Sequence, residues 1–85
     1  MEITDVKVFP VDEKRVKAYA SIVFDSCFIV RDVKIIQGDN RFFVAMPSKK
    51  MKDGSFRDMV HPLNNITRQI IEDCVLGAYQ REVGG

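Results

Sequence analysis

The feature that most constrains this 85-residue chain is a nine-residue stretch of strict alternation. Val16, Ala18, Ala20, Ile22 and Phe24 fall on one face, and Lys17, Tyr19, Ser21 and Val23 on the other. A helix cannot sort residues with period two, so the segment predicts a β-strand with one buried face. A strand needs neighbours, and the flanking residues supply them. Upstream, Thr4, Val6 and Val8 alternate with Asp5 and Lys7, and Pro10 with the run Asp12-Glu13-Lys14-Arg15 predicts the connecting turn. Downstream, Asp25-Ser26 predicts a hairpin turn.

The segment from Cys27 to Gln37 is less regular. Phe28 and Val30 share one face, whereas Val33 and Ile35 fall on the other. Either a β-bulge near Arg31-Asp32 repairs the phase of a bent strand, or a short helical turn interrupts it. Gly38-Asp39-Asn40 is a turn signal. Arg41 to Met46 reads as a strand that is apolar on both faces, hence central or covered on both sides, and Pro47 ends it. Ser48 to Ser55 reads as a loop turned by Asp53-Gly54, and Phe56 to Val60 as a short strand closing a hairpin over it.

His61-Pro62 breaks the strand pattern. Asn64 or Asn65 then caps a helix that ends near Arg81, with Gly84-Gly85 beyond. Leu63, Ile66, Ile70, Cys74 and Ala78 recur at helical spacing, and Thr67, Ile71 and Val75 widen the stripe. Leu76 sits among Gln69, Glu72, Asp73 and Gln80 on the polar side. The expected class is α+β: one domain over residues 1–85, an antiparallel β-sheet of four to five strands followed by one C-terminal amphipathic helix.

A domain of this length buries only roughly 60% of its unfolded surface. One helix cannot cover both faces of such a sheet, so Tyr19, Val23 and Phe43 face away from the core. With Leu76, these apolar residues predict a homodimer.

Several function classes lack support. The longest nearly uncharged stretch, Ser26 to Val30, is too short to cross a bilayer, and Met1 to Asp5 is unlike a signal peptide, so the cytoplasm is the expected compartment. Cys27 and Cys74 are expected to be small buried hydrophobes rather than a disulfide. With two Cys and one His, a four-ligand zinc site cannot be assembled, and no cofactor is expected. His61 is the only His: its simplest role is to fix the turn at Pro62 by bonding a backbone group, and the alternative is a catalytic or phosphate-binding one. Gly38, Gly54 and Gly77 are isolated, so no phosphate-cradling glycine loop exists. Nothing points to an enzyme.

The charge distribution does carry a signal. The chain has a net charge of +1, yet Lys49, Lys50, Lys52, Arg57 and Arg68 face only Asp53 and Asp58 within residues 49–68, a local excess of +3. These cations are either a solvated hairpin tip or one basic ridge matched to phosphates. Phe42, Phe43 and Phe56 are either core or stacking surfaces beside that ridge.

The run Phe43-Val44-Ala45-Met46-Pro47-Ser48-Lys49-Lys50, followed by Asp53-Gly54, Phe56-Arg57-Asp58, His61-Pro62, Asn64 and Thr67-Arg68, resembles the signature of the stage V sporulation protein G family, the septation regulators of bacteria. Thr4-Asp5-Val6 and Ala18, Ala20-Ser21-Ile22 fit the family's first two strands. The resemblance implies an α+β homodimer assembled through strand pairing. It implies a regulator of sporulation, cell division and gene expression that binds DNA, with RNA as a further ligand. Lys49, Lys50, Arg57 and Arg68 match the family's basic positions, and Lys52 lies among them. Family members often carry a longer or more basic tail after the helix than Arg81-Glu82-Val83-Gly84-Gly85. A competing expectation is a protein-interaction module of the division machinery, docking through an exposed patch around Leu76 and Tyr79.

Overall fold

The computed structural model describes residues 1–84; Gly85 lies outside them. The alternating segment is β2 (Val16–Phe24), flanked by β1 (Ile3–Pro10) and β3 (Phe28–Gln37), and β4 (Phe42–Ala45) completes a sheet of order β1-β2-β3-β4. All neighbours run antiparallel. A two-stranded hairpin, β5 (Ser48–Lys50) and β6 (Phe56–Asp58), stands apart from the sheet. The helix α1 (Asn65–Val83) packs on one face. The architecture is α+β, as expected.

β2 owes its central place to its sequence. Ala18, Ala20, Ile22 and Phe24 are all buried, and the alternate residues are only half-covered. Val30, Val33 and Ile35 from β3, and Val44 and Met46 from β4's end, share that core. Val30 and Val33 can both point inward because the ladder slips between Ala20↔Val33 and Ile22↔Val30. Arg31 and Asp32 therefore oppose Ser21 alone, and Asp32 takes φ 61°. This is the bulge; the helical-turn alternative is excluded. The β2–β3 connection has positive φ at both Asp25 and Ser26, the left-handed pair that suits a tight hairpin. The N-terminus straps this turn: Ser26 N–H donates to the Thr4 hydroxyl (2.9 Å), and Glu2 N–H to an Asp25 carboxylate oxygen (2.9 Å).

Asn64, not Asn65, caps the helix, its side-chain oxygen accepting from Thr67 N–H at 2.8 Å. Which stripe of the helix is buried differs from expectation. Ile71, Val75 and Tyr79 enter the core and Leu76 packs against it, whereas Leu63, Ile66 and Ile70 remain exposed. Apolar residues occupy too much of this helix for spacing to fix its rotation; the sheet fixes it. The patch around Leu76 and Tyr79 is thus not free for a partner. Tyr79 is buried and takes the ring of Phe42 edge-on at 5.6 Å.

Four further expectations are corrected. β4 is an edge strand, not a central one: it pairs only with β3, and the strand that follows it pairs in the separate hairpin. Residues 48–50 form a strand rather than the start of a loop, and the strand after the turn stops at Asp58 rather than Val60. Cys27 is exposed beside the β2–β3 turn and Cys74 half-buried on the helix; both are free thiols.

Candidate nucleic-acid interface

The hairpin is built by its turn. Met51 N–H donates to the Ser55 carbonyl (2.7 Å) and Gly54 N–H to the Met51 carbonyl (3.0 Å), with Gly54 at φ +91°. That is a tight turn closed by a left-handed glycine, which offsets the strands by one residue. Asp53 fastens it, accepting from Ser55 N–H (2.9 Å) and the Ser55 hydroxyl (2.6 Å). The hydroxyl first, and then the amide, hold the Asp53 carboxyl below its ordinary pKa. At the root, Met59 N–H donates to the Pro47 carbonyl at 2.8 Å.

The register sorts the side chains. Lys49 lies directly opposite Arg57, Lys50 opposite Phe56, and Ser48 opposite Asp58. Opposed residues in an antiparallel pair share a face. Lys49 and Arg57 therefore form a cationic pair on one face, and Lys50, Phe56 and Asp58 occupy the other. Every residue of both strands is exposed. Lys52 sits in the turn. Arg68 is on the first turn of α1, where it lines a small cleft with Val44, Met46 and Pro62. The five cations thus do not form one ridge: the pleat divides the hairpin's charges between two faces, and Arg68 adds to the side of the body.

Of the candidate stacking residues, Phe56 is 70% exposed, Phe42 leans on Tyr79 at the body's edge, and Phe43 is half-buried on the face of the sheet away from α1. Met59, also exposed at the hairpin root, escaped sequence reasoning. Its signal was position alone: an apolar residue in a segment otherwise dense with charge. His61 turns its ring onto the neighbouring backbone, with Nδ1 donating to the Pro62 carbonyl at 3.0 Å. Among the described residues no group of three His, Cys, Asp or Glu could hold a metal ion. No helix is long and apolar enough to cross a membrane.

The family model for SpoVG matches residues 1–81, which is nearly all of the described chain. The chain belongs to the SpoVG family. A protein of Bdellovibrio bacteriovorus named "Putative septation protein SpoVG" is 61% identical over 83 residues, covering 98% of this chain and 77% of that one. Proteins of the same name from an Anaeromyxobacter species (53% identical; 98% and 86% covered) and from Phytoplasma australiense (49%; 94% and 84%) are similar along the same length. The SpoVG relatives carry a septation name rather than the name of a reaction. The match includes both the core strands and the hairpin, so the family's shared sequence spans the part that folds and the part that is exposed.

Proposed function

We propose that this protein is a homodimeric regulator of septation, sporulation and gene expression, acting in the cytoplasm. In this reading it pairs with its copy through strand edges and binds DNA, with RNA as a further ligand. The contacts come from separate patches rather than one ridge: the Lys49–Arg57 face, Lys50 on the opposite face, Lys52 in the turn and Arg68 on the side of the body. One observation carries the reading: Lys49 stands directly across the ladder from Arg57 on a fully exposed hairpin. Like charges directly opposed are unfavourable in a sheet, and no acid on that face of the hairpin offsets them. An anion between them removes the repulsion, and a nucleic-acid backbone presents such anions in series. Phe56 beside Lys50 on the second face adds a stacking surface for a base. The septation names of the relatives support the cellular role.

The decisive experiment is a binding titration of the protein and its Lys49→Glu/Lys50→Glu/Arg57→Glu variant across a range of salt. For a dimer contacting about six phosphates, log K falls with log salt at a slope near −5. The variant is expected to lose binding with its thermal midpoint nearly unchanged. A flat salt response, or binding that survives the triple change, rules out the hairpin as the interface.

A further inference from the structure

Asp53 is the one Asp or Asn in the chain that is followed by Gly. That dipeptide is chemically distinctive. A glycine has no side chain to shield its nitrogen, so the nitrogen can attack the side-chain carboxyl carbon of the residue before it. At Gly54 there is room for the product, since a Cβ built there would meet nothing within 4 Å among the described residues. Asp53 is itself exposed at the tip of the hairpin. Two sets of bonds stand against the reaction. Oδ1 of Asp53 accepts from the Ser55 amide (2.9 Å) and the Ser55 hydroxyl (2.6 Å), which favours the ionised carboxyl, the form less open to a nucleophile. The Gly54 N–H is committed to the Met51 carbonyl at 3.0 Å. While the turn is closed, nucleophile and electrophile are both engaged elsewhere.

The closed turn is not permanent. Both strands of the hairpin are exposed, and a two-stranded hairpin with no covering layer is marginal in water, so it opens far more often than the body unfolds. We propose that Asp53-Gly54 is a site of spontaneous isoaspartate formation, with opening of the hairpin turn as the step that sets its rate. In the open turn the Gly54 nitrogen bonds to Cγ of Asp53. The proton of that nitrogen and the hydroxyl of the protonated carboxyl leave together as water, and a cyclic imide joins the two residues. Water then adds back across one of the two bonds between the imide nitrogen and its carbonyls. Cleavage on the Cγ side restores aspartate. Cleavage on the other side frees the former backbone carbonyl as a carboxylate, and the chain now runs through Cβ and Cγ. Nothing is oxidised or reduced, and water is the only co-reactant.

The isomer keeps the mass and the carboxylate of the original but carries one more methylene in its backbone. That atom falls inside both rings closed at the turn, from Gly54 N–H to the Met51 carbonyl and from Met51 N–H to the Ser55 carbonyl at 2.7 Å. Those bonds fix the register that sets Lys49 across from Arg57. A lengthened turn cannot re-form them with the same geometry, so the cations lose their pairing. The core contains no hairpin residue and stays folded. Modification therefore retires the hairpin surface and leaves the body intact; its effect on nucleic-acid binding rests on the reading of the hairpin given above. Ser55 acts here as a positioning residue, slowing the reaction by what it does to the Asp53 carboxylate.

The test holds the whole chain, Ser55→Ala and Asp53→Glu at physiological temperature and neutral pH, with circular dichroism confirming a folded body. Isoaspartate is followed by enzymatic methylation and by chromatographic separation of equal-mass peptides spanning residues 53–57. The same three proteins are followed unfolded in urea. The wild type is expected to gain isoaspartate at residue 53 more slowly when folded than in urea. Folded Ser55→Ala should react about five times faster than the folded wild type or more, the effect of one net hydrogen bond on opening, and at the wild-type rate in urea. Asp53→Glu should give none at this position, because its ring would be larger and less readily closed. A wild type as fast folded as unfolded, or a folded Ser55→Ala no faster than the wild type, overturns control by the turn. No isoaspartate at residue 53 in either state overturns the site. These readouts are covalent and need no ligand. The separated isomer, put through the salt titration, is expected to bind more weakly; undiminished binding with the rates as expected overturns the hairpin as the interface and leaves the modification site standing.

Discussion

The body of the molecule and its hairpin are held by opposite means. In the body, Ala18, Ile22, Val33, Ile35 and Val75 are fully buried, and sheet and helix specify each other through them. In the hairpin every strand residue is exposed, and order comes from a short ladder, a root bond at Pro47 and a turn fastened by Asp53. An isolated two-stranded hairpin is marginal in water, so this one depends on its attachment and its turn chemistry. The contrast teaches that residues in the hairpin are not chosen by packing. The cations that gather there lie outside the core and do not hold the body together.

That separation can be broken most forcefully from the body. Ile22→Ala is expected to lower unfolding free energy in urea by ~2–5 kcal/mol through the cavity it leaves, whereas the triple hairpin variant moves it little. If the hairpin variant destabilises comparably, the two regions are not independent. Asn64→Ala removes the cap of α1, the element that spans the body. It should cost about 1 kcal/mol, read as a lower thermal midpoint. Gly54→Ala forces an L-side chain into φ +91°, a local penalty of roughly 1 kcal/mol. Its expected signature is faster amide exchange at Met51 and Gly54 with the global midpoint unchanged, and a fall in the global midpoint would couple hairpin to body. The smallest effect is with pH. Asp53 titrates below its ordinary value because Ser55 bonds its ionised form, so the turn is ordered above that ordinary value. The order fades as pH falls through the lowered one. An Asp53 carboxyl titration by NMR in the protein and in Ser55→Ala checks this, with the midpoint expected to rise in the variant.

Much of this was legible in the residues. Alternation in β2 named its buried face, the phase break in β3 pointed to an irregularity at Arg31-Asp32, and Asn64 and Asn65 bracketed the helix start. The cluster of Lys49, Lys50, Lys52, Arg57 and Arg68 was visible as charge, but its partition was not. Whether Lys49 shares a face with Lys50 or with Arg57 depends on ladder register, and register follows from a turn whose one-residue offset is a matter of backbone geometry. Likewise Phe56 and Phe24 are the same residue type, and only placement makes one a surface and the other core.

The helix draws the line most clearly. By itself the sequence determined one amphipathic helix capped at Asn64 or Asn65 and ending near Arg81, because spacing and capping are local properties. Which apolar row meets the sheet was decided only in three dimensions. Ile71, Val75 and Tyr79 go inward because that rotation closes the core over β2, β3 and β4. The row Ile66, Ile70, Cys74 and Ala78 is left on the rim of β1, since rotation of a helix is set by what it packs against and not by its own period.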